Sequence, residues 1–272
     1  MHLQRWLTSI IGIPMLIALI YKGGMLLFAL FIGLVMVISL WEYYFIVFGG
    51  AKQEIASAIP VWSFFAGLLM VFFAYIGSLK LMLCLLMINM IAAAVLSMPR
   101  FKNGPHILII VAKQIQGLLY ISLTLSTLVL MRNSPDGVAW IFFLLFIVFS
   151  GDVGAFYAGS FLGRHKLSPS ISPGKTIEGA IGGITSSMII GYLFKMFVLP
   201  GLDPSVTFTL IIIVNIFAQA GDLFESELKR AGKIKDSGAI LPGHGGILDR
   251  IDALLFAAPV IYFYKAYLIP GI

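Results

Sequence analysis

Residues 26–45 read LLFALFIGLVMVISLWEYYF, twenty consecutive positions that carry a single charge, Glu42. That length and composition match the ~20 residues an α-helix needs to cross ~30 Å of hydrocarbon. Working outward from it, similar apolar runs recur at 7–21, 55–76, 79–98, 107–131, 140–161, 180–199, 208–224 and 247–268. The first follows Arg5 as a secretory signal would, but no small-x-small cleavage pattern comes after it, so it reads as the first membrane helix. The expected fold class is therefore all-α: a polytopic integral membrane protein of about nine transmembrane helices.

Composition agrees. The 272 residues are 60% hydrophobic and 11% charged, with a mean hydropathy of +1.03, which excludes a domain with a polar surface facing water on all sides. Cys84 is the lone cysteine, which rules out an internal disulfide framework and a thiolate zinc site. The net charge of +6 reads as membrane orientation and contact with anionic lipid, not as a nucleic-acid footprint.

Two linkers are long, 163–179 and 226–246. With the N-terminus in the cytoplasm, the basic residues at that face are Arg5, Lys52, Arg100, Lys102, Arg164, Lys166, Lys175, Lys229, Arg230, Lys233, Lys235 and Arg250, twelve of the 18. Cytoplasmic enrichment of Lys and Arg then places both long loops inside. No internal repeat stands out, and the loops are too small to fold alone. We expect one membrane domain over 1–272, with scaffold helices in 1–135 and the chemistry in 136–272.

The acids support that division, because nine of the twelve lie after position 150. Asp222 and Glu225 stand three apart at the end of one expected span, and Asp249 and Asp252 three apart at the start of the next, so each pair shares a helical face. Carboxylates at helix ends in a membrane face water, a partner or a metal. Oxygen ligands without cysteine favour Mg²⁺ or Mn²⁺ over zinc. Any single acid could instead pair with Lys229, Arg230 or Arg250. Asp152, late in its span, and the first-half pair Glu42 and Lys113 are open between structural and functional roles.

The stretch 226–252 reads SELKRAGKIKDSGAILPGHGGILDRID. Glycines let main-chain N–H groups approach a phosphate, a helix start adds partial positive charge, and lysines and arginines add counter-charge. The earlier loop holds Ser172, Pro173, Gly174, Lys175 and Thr176, which imitate the end of a Walker loop; Pro169 stands where its first glycine would be, and no strand is expected before it. A Lys and hydroxyl pair at a helix start remains, suited to a second phosphate.

From Ser226 to Asp252 the sequence resembles the signature of the CDP-diacylglycerol synthases, or phosphatidate cytidylyltransferases, at Ser226, Lys229, Arg230, Lys235, Asp236, Gly238, Pro242, His244, Gly245, Gly246, Asp249, Arg250 and Asp252. The 152–179 region resembles the family's second polar region. The resemblance implies that CTP and phosphatidic acid give CDP-diacylglycerol and pyrophosphate at the cytoplasmic face of a bacterial inner membrane. It implies Mg²⁺ on Asp222 and Asp249, with room for a second cation. Lys229, Arg230, Arg250 and Asp252 are then expected at the reacting phosphates, and Ser172, Lys175, Ser226, Lys235, Asp236, His244, Gly245 and Gly246 on the substrates. A homodimer is the assembly it suggests. Two alternatives stay open: a transporter, since membrane-embedded acids also mark ion pathways, and an enzyme of the same class acting on a polyprenol or ether lipid.

Overall fold

The computed structural model describes residues 2–50, 54, 57–104, 106–238, 240 and 245–268. Lys52, Pro242 and His244, which the sequence reading singled out, lie outside the described residues. The chain is an all-α polytopic membrane protein. Among the described residues, eight helices are long and apolar enough to cross a membrane, and a shorter apolar helix, Ile10–Lys22, precedes them.

In chain order the elements are α1 (His2–Lys22), α2 (Gly24–Val47), α3 (Ala58–Tyr75), α4 (Leu79–Ser97), a 3₁₀ turn (Met98–Asn103), α5 (Ile107–Gly117), a π-helical segment (Leu118–Leu123), α6 (Thr124–Asn133), α7 (Gly137–Leu162), the strands β1 (Lys166–Ser168) and β2 (Ser172–Thr176), α8 (Ile177–Val198), α9 (Pro204–Ala231) and α10 (Leu248–Leu268). The helices α5 and α6 form one span through the π-helical segment.

Three local outcomes differ from the sequence reading. The 163–179 linker contains an antiparallel two-stranded hairpin, with Lys166 opposite Thr176 and Ser168 opposite Ser172. A strand therefore does lead into the helix at 177, and it is made by the Ser-Pro-Gly-Lys-Thr stretch itself. A phosphate-wrapping Walker loop needs those residues curled after the strand. Lastly, α9 extends through Ala231, so Lys229 and Arg230 lie on a helix and not in a loop. Glu225 and Lys229 pair at i,i+4, good helix formers follow, and the chain turns at Lys233 with φ 56°.

The chain divides into two compact units: residues 1–133 with 231–250, and residues 134–230 with 251–272. In the first, the mostly apolar interior holds a connected polar group near the end of α2. Tyr43 donates to the Lys113 carbonyl (3.0 Å) and to Gln116 Oε1 (2.9 Å), and Tyr44 shares a hydrogen bond with Ser63. Asn89 Oδ1 accepts from Trp62 Nε1 (3.0 Å) and Gln114 Nε2 (2.8 Å). The Lys113 ammonium donates to the Val47 carbonyl, a helix C-terminal acceptor, and lies over the Phe48 ring. Glu42 and Lys113 thus have separate partners.

In the second unit, α7 and α8 run antiparallel with their backbones nearly touching. Small residues recur every fourth position on both: Gly151, Ala155, Gly159 and Gly163 on one, and Gly179, Gly183, Ser187 and Gly191 on the other. A Cβ built on Gly183 would lie 2.9 Å from the Gly151 carbonyl, and one on Gly179 would lie 3.2 Å from the Gly159 Cα. Lipid tails are as apolar as leucine, so close van der Waals packing of small residues, and not hydrophobic burial, holds such helices together. Hydrogen bonds reinforce the contact: Ser187 donates to the Ile147 carbonyl (2.6 Å), Asn215 of α9 to Ser187 (2.7 Å), and Gln219 to Asn215 Oδ1 (2.6 Å) and the Ala180 carbonyl (3.1 Å). At the far end of α10, Lys265 donates to Ser134 (2.6 Å) and to the Pro135 carbonyl.

Gly182 faces Ala158 so closely that any Cβ would collide with it. Gly182→Val is therefore expected to destabilise the protein by about 1–3 kcal/mol, read as a lowered Tm in detergent. An unchanged Tm would mean that the two helices do not pack at this separation.

Candidate active site

Thr176 ends β2 and caps α8, accepting a hydrogen bond from the Gly179 N–H at 3.1 Å. This fixes Lys175 just ahead of the helix. Glu178, in the first turn, reaches back to the Arg164 N–H (3.0 Å), the His165 N–H (3.2 Å) and His165 Nδ1 (2.6 Å), so one carboxylate ties both ends of the hairpin together. Arg230 Nε donates to the Ile171 carbonyl at 3.2 Å, tying the hairpin to α9.

Between α7, β2, α8 and α9 lies a cavity of about 520 Å³, bordered by Asp152, Phe156, Lys175, Gln219 and Asp222. Lys175 Nζ stands 2.6 Å from Asp222 Oδ2. Asp252, in α10, and Asp152 lie near enough to Asp222 to repel it, and Lys229 lies near enough to Asp252 to attract it. Asp222 reaches this spot because Gly221 lets α9 approach α10 closely: a Cβ there would sit 2.6 Å from the Asp252 carbonyl. One face of the unit thus gathers three carboxylates and a lysine beside an open cavity with an apolar wall at Phe156 and Leu167.

Of the expected site residues, the second unit brings Lys175, Asp222 and Asp252 together and adds Asp152. Ser172 does not border the cavity; it pairs with Ser168 in the hairpin. Lys229 is in contact with Glu225, whose side chain is fully buried, which realises the ion pairing that the sequence left open for these charges. Ser226 is half-buried on α9.

The first unit holds the rest. Asp249 Oδ2 accepts from the Gly246 N–H (2.9 Å) and the Ser237 N–H (3.0 Å), closing the neck of the signature loop. Gly245 has φ 81°, a left-handed conformation that favours glycine. Lys235, Asp236 and Arg250 are exposed. The main-chain N–H groups of Ile247 and Leu248 donate to Glu42. The amides of Gly246, Ile247 and Leu248 are thus engaged by protein carboxylates.

Among the described residues, no three His, Cys, Asp or Glu side chains form a group able to hold a metal ion on their own. Mg²⁺ needs no such cage: it is held by one or two carboxylates and completes its shell with water and substrate phosphate. The carboxylates of Asp152 and Asp222 beside a cavity are an all-oxygen donor set of that kind. The sequence reading left Asp152 open; its signal was a lone acid near the end of an apolar span, four residues before Phe156 and seven before Gly159.

The profile of the Cytidylyltransferase family matches residues 3–268. A Staphylococcus epidermidis phosphatidate cytidylyltransferase is 35% identical over 265 residues, 94% of this chain and 96% of that protein. The enzymes of the same name from Bacillus subtilis and Staphylococcus haemolyticus are 40% and 47% identical over 149 and 126 residues. Those two alignments cover 54% and 46% of this chain, and span about half the length of the relatives, 55% and 48%.

If Glu178 is the tie described above, Glu178→Ala should speed amide hydrogen exchange across 163–168 while leaving exchange in α3 and α4 unchanged. Equal protection in the variant and the wild type would remove that role. On sequence and profile together, the chain belongs to the cytidylyltransferase family.

Proposed function

We propose that this chain is a phosphatidate cytidylyltransferase, converting CTP and phosphatidate to CDP-diacylglycerol and pyrophosphate. The observation that carries the reading is its alignment with an enzyme of that name along 94% of its length. The cavity supports it: acids, a lysine and an apolar wall at one place suit a ligand with phosphate at one end and hydrocarbon at the other. The charge distribution favours a cytoplasmic site in a bacterial plasma membrane, where CTP arrives from water and the lipid from the bilayer.

A phosphatidate oxygen attacks the α-phosphorus of CTP. The new P–O bond forms in line with the breaking bond to the bridging oxygen, and pyrophosphate leaves with that electron pair. The nucleophile is already an anion, so neither a protein nucleophile nor a strong general base is required. The protein's work is positioning and charge neutralisation. Lys175, released from Asp222 by a competing phosphate, binds that phosphate, and Lys229 of the same unit supplies further positive charge. Asp222 and Asp152 would hold Mg²⁺, which supplies neutralisation of phosphate oxygens.

The test is pyrophosphate release by purified protein in detergent, given phosphatidate, CTP and Mg²⁺, with ATP, EDTA and a polyprenol phosphate as controls. Release that needs CTP, metal and phosphatidate together is expected; release with the polyprenol phosphate alone would transfer the reading to that lipid class. Asp222→Asn should lower kcat by at least about a hundredfold, and wild-type turnover would remove Asp222 from the reaction. Asp249→Asn keeps an acceptor for the Gly246 and Ser237 amides but removes the charge. A comparable loss in a folded variant would assign Asp249 to the metal, whereas full activity would leave it only the loop tie.

A further inference from the structure

We infer that Glu42, a residue of α2 distant in sequence from the signature loop, is the positioning residue that sets that loop for nucleotide phosphate. The inference rests on the proposed function for its substrate and on geometry for the residue. Glu42 is 2% exposed in the interior of the first unit. Its two oxygens are divided among three donors of one short stretch: Oε1 accepts from the Ile247 N–H (3.0 Å), and Oε2 from the Leu248 N–H (2.7 Å) and from Ser237 Oγ (3.1 Å). Ser237 and Leu248 flank the loop, so a single carboxylate spans its neck, beside the parallel tie made by Asp249.

The loop's glycines are fitted to this side chain. A Cβ on Gly238 would lie 2.5 Å from Glu42 Oε1, and a Cβ on Gly246 would collide with both Ser237 Oγ and Glu42 Oε2. Neither glycine has a positive φ, so what they provide here is room for the carboxylate. Lys233, Lys235 and Asp236 lie just before Ser237, so their directions follow from how the neck is held. Glu42 itself has no need to touch substrate.

The chemistry of the pairing makes a selective test. Ile247 and Leu248 each face a different oxygen of Glu42. Glu42→Gln keeps the shape but offers one oxygen and one NH₂, so in either orientation one N–H meets a donor. We expect a folded variant whose KM for CTP rises about tenfold while its KM for phosphatidate stays within about twofold of wild type. Amide exchange across 237–248 should quicken. A role confined to stability would lower the active fraction, and with it kcat, at unchanged KM. Unchanged KM for both substrates in a folded Glu42→Gln protein therefore overturns the inference. Ser237→Ala removes one donor without disturbing the carboxylate, and should shift the CTP KM in the same direction by a smaller factor. It decides the matter if Glu42→Gln fails to fold, and a wild-type CTP KM in Ser237→Ala then overturns the inference. Should the wild type turn over neither substrate, the proposed function falls, and exchange alone judges Glu42. Faster exchange at 237–248 in Glu42→Gln or Ser237→Ala supports the tie, and wild-type protection overturns it.

Discussion

A bilayer offers no hydrogen-bond partners, and a buried polar group left unpaired costs about 1–3 kcal/mol in protein mutational data. A polar side chain placed between these helices is therefore stabilised by a partner within the protein. Around the end of α2 the need is met by Tyr43, Tyr44, Ser63, Asn89 and Gln114. In the second unit it is met by the relay from Ile147 through Ser187 and Asn215 to Gln219. The relay ends at Gln219, which borders the cavity, so the polar groups that fix α9 against α7 and α8 also fix the wall from which Asp222 projects. Packing and site are the same construction there.

Close helix approach is the second consequence. With no hydrophobic gain from joining two lipid-exposed helices, contact must come from backbone proximity, hence the fourfold spacing of small residues on α7 and α8. Bringing the helices this close also sets the hairpin. Gly163 abuts Thr176 at the top of the pair, Thr176 caps α8, and Lys175 is left facing Asp222 at 2.6 Å. A bulkier residue in the glycine row would move the lysine as well as the helices.

Much of this was legible in the sequence because hydropathy reports a property of individual residues. The length of an apolar run reports the lipid, and eight of the nine expected spans reappear as long apolar helices, with the first present as the shorter Ile10–Lys22. The hairpin at 166–176 was not legible, since three-residue and five-residue strands in a polar linker leave no period to read. The end of α9 was misplaced because hydropathy stops at the membrane, whereas a helix stops where its backbone pairing stops; Glu225 and Lys229 carry it onward. The acids near the signature were visible as a cluster, but not their division of labour. Asp249 bonds two amides, Asp222 meets a lysine, and Asp152 joins from another helix, all of which are long-range facts.

Glu42 shows why a lone charge in an apolar run resists sequence reading. Its spacing relates it to nothing nearby, because the three donors it serves lie 195, 205 and 206 residues away. A water-exposed loop would leave Ile247 and Leu248 to the solvent, at little cost. Here Leu248 is fully buried, and a helix start buried without acceptors would be strongly unfavourable. An anion is also the stronger acceptor for N–H groups at a helix N-terminus, where the backbone dipoles favour negative charge. A carboxylate from α2 therefore does for α10 what a local capping residue does elsewhere. It also makes the beginning of α10 and the end of the loop depend on a helix from the opposite end of the sequence. The signature motif is accordingly incomplete as a structural unit without residue 42, although nothing within the motif itself says so.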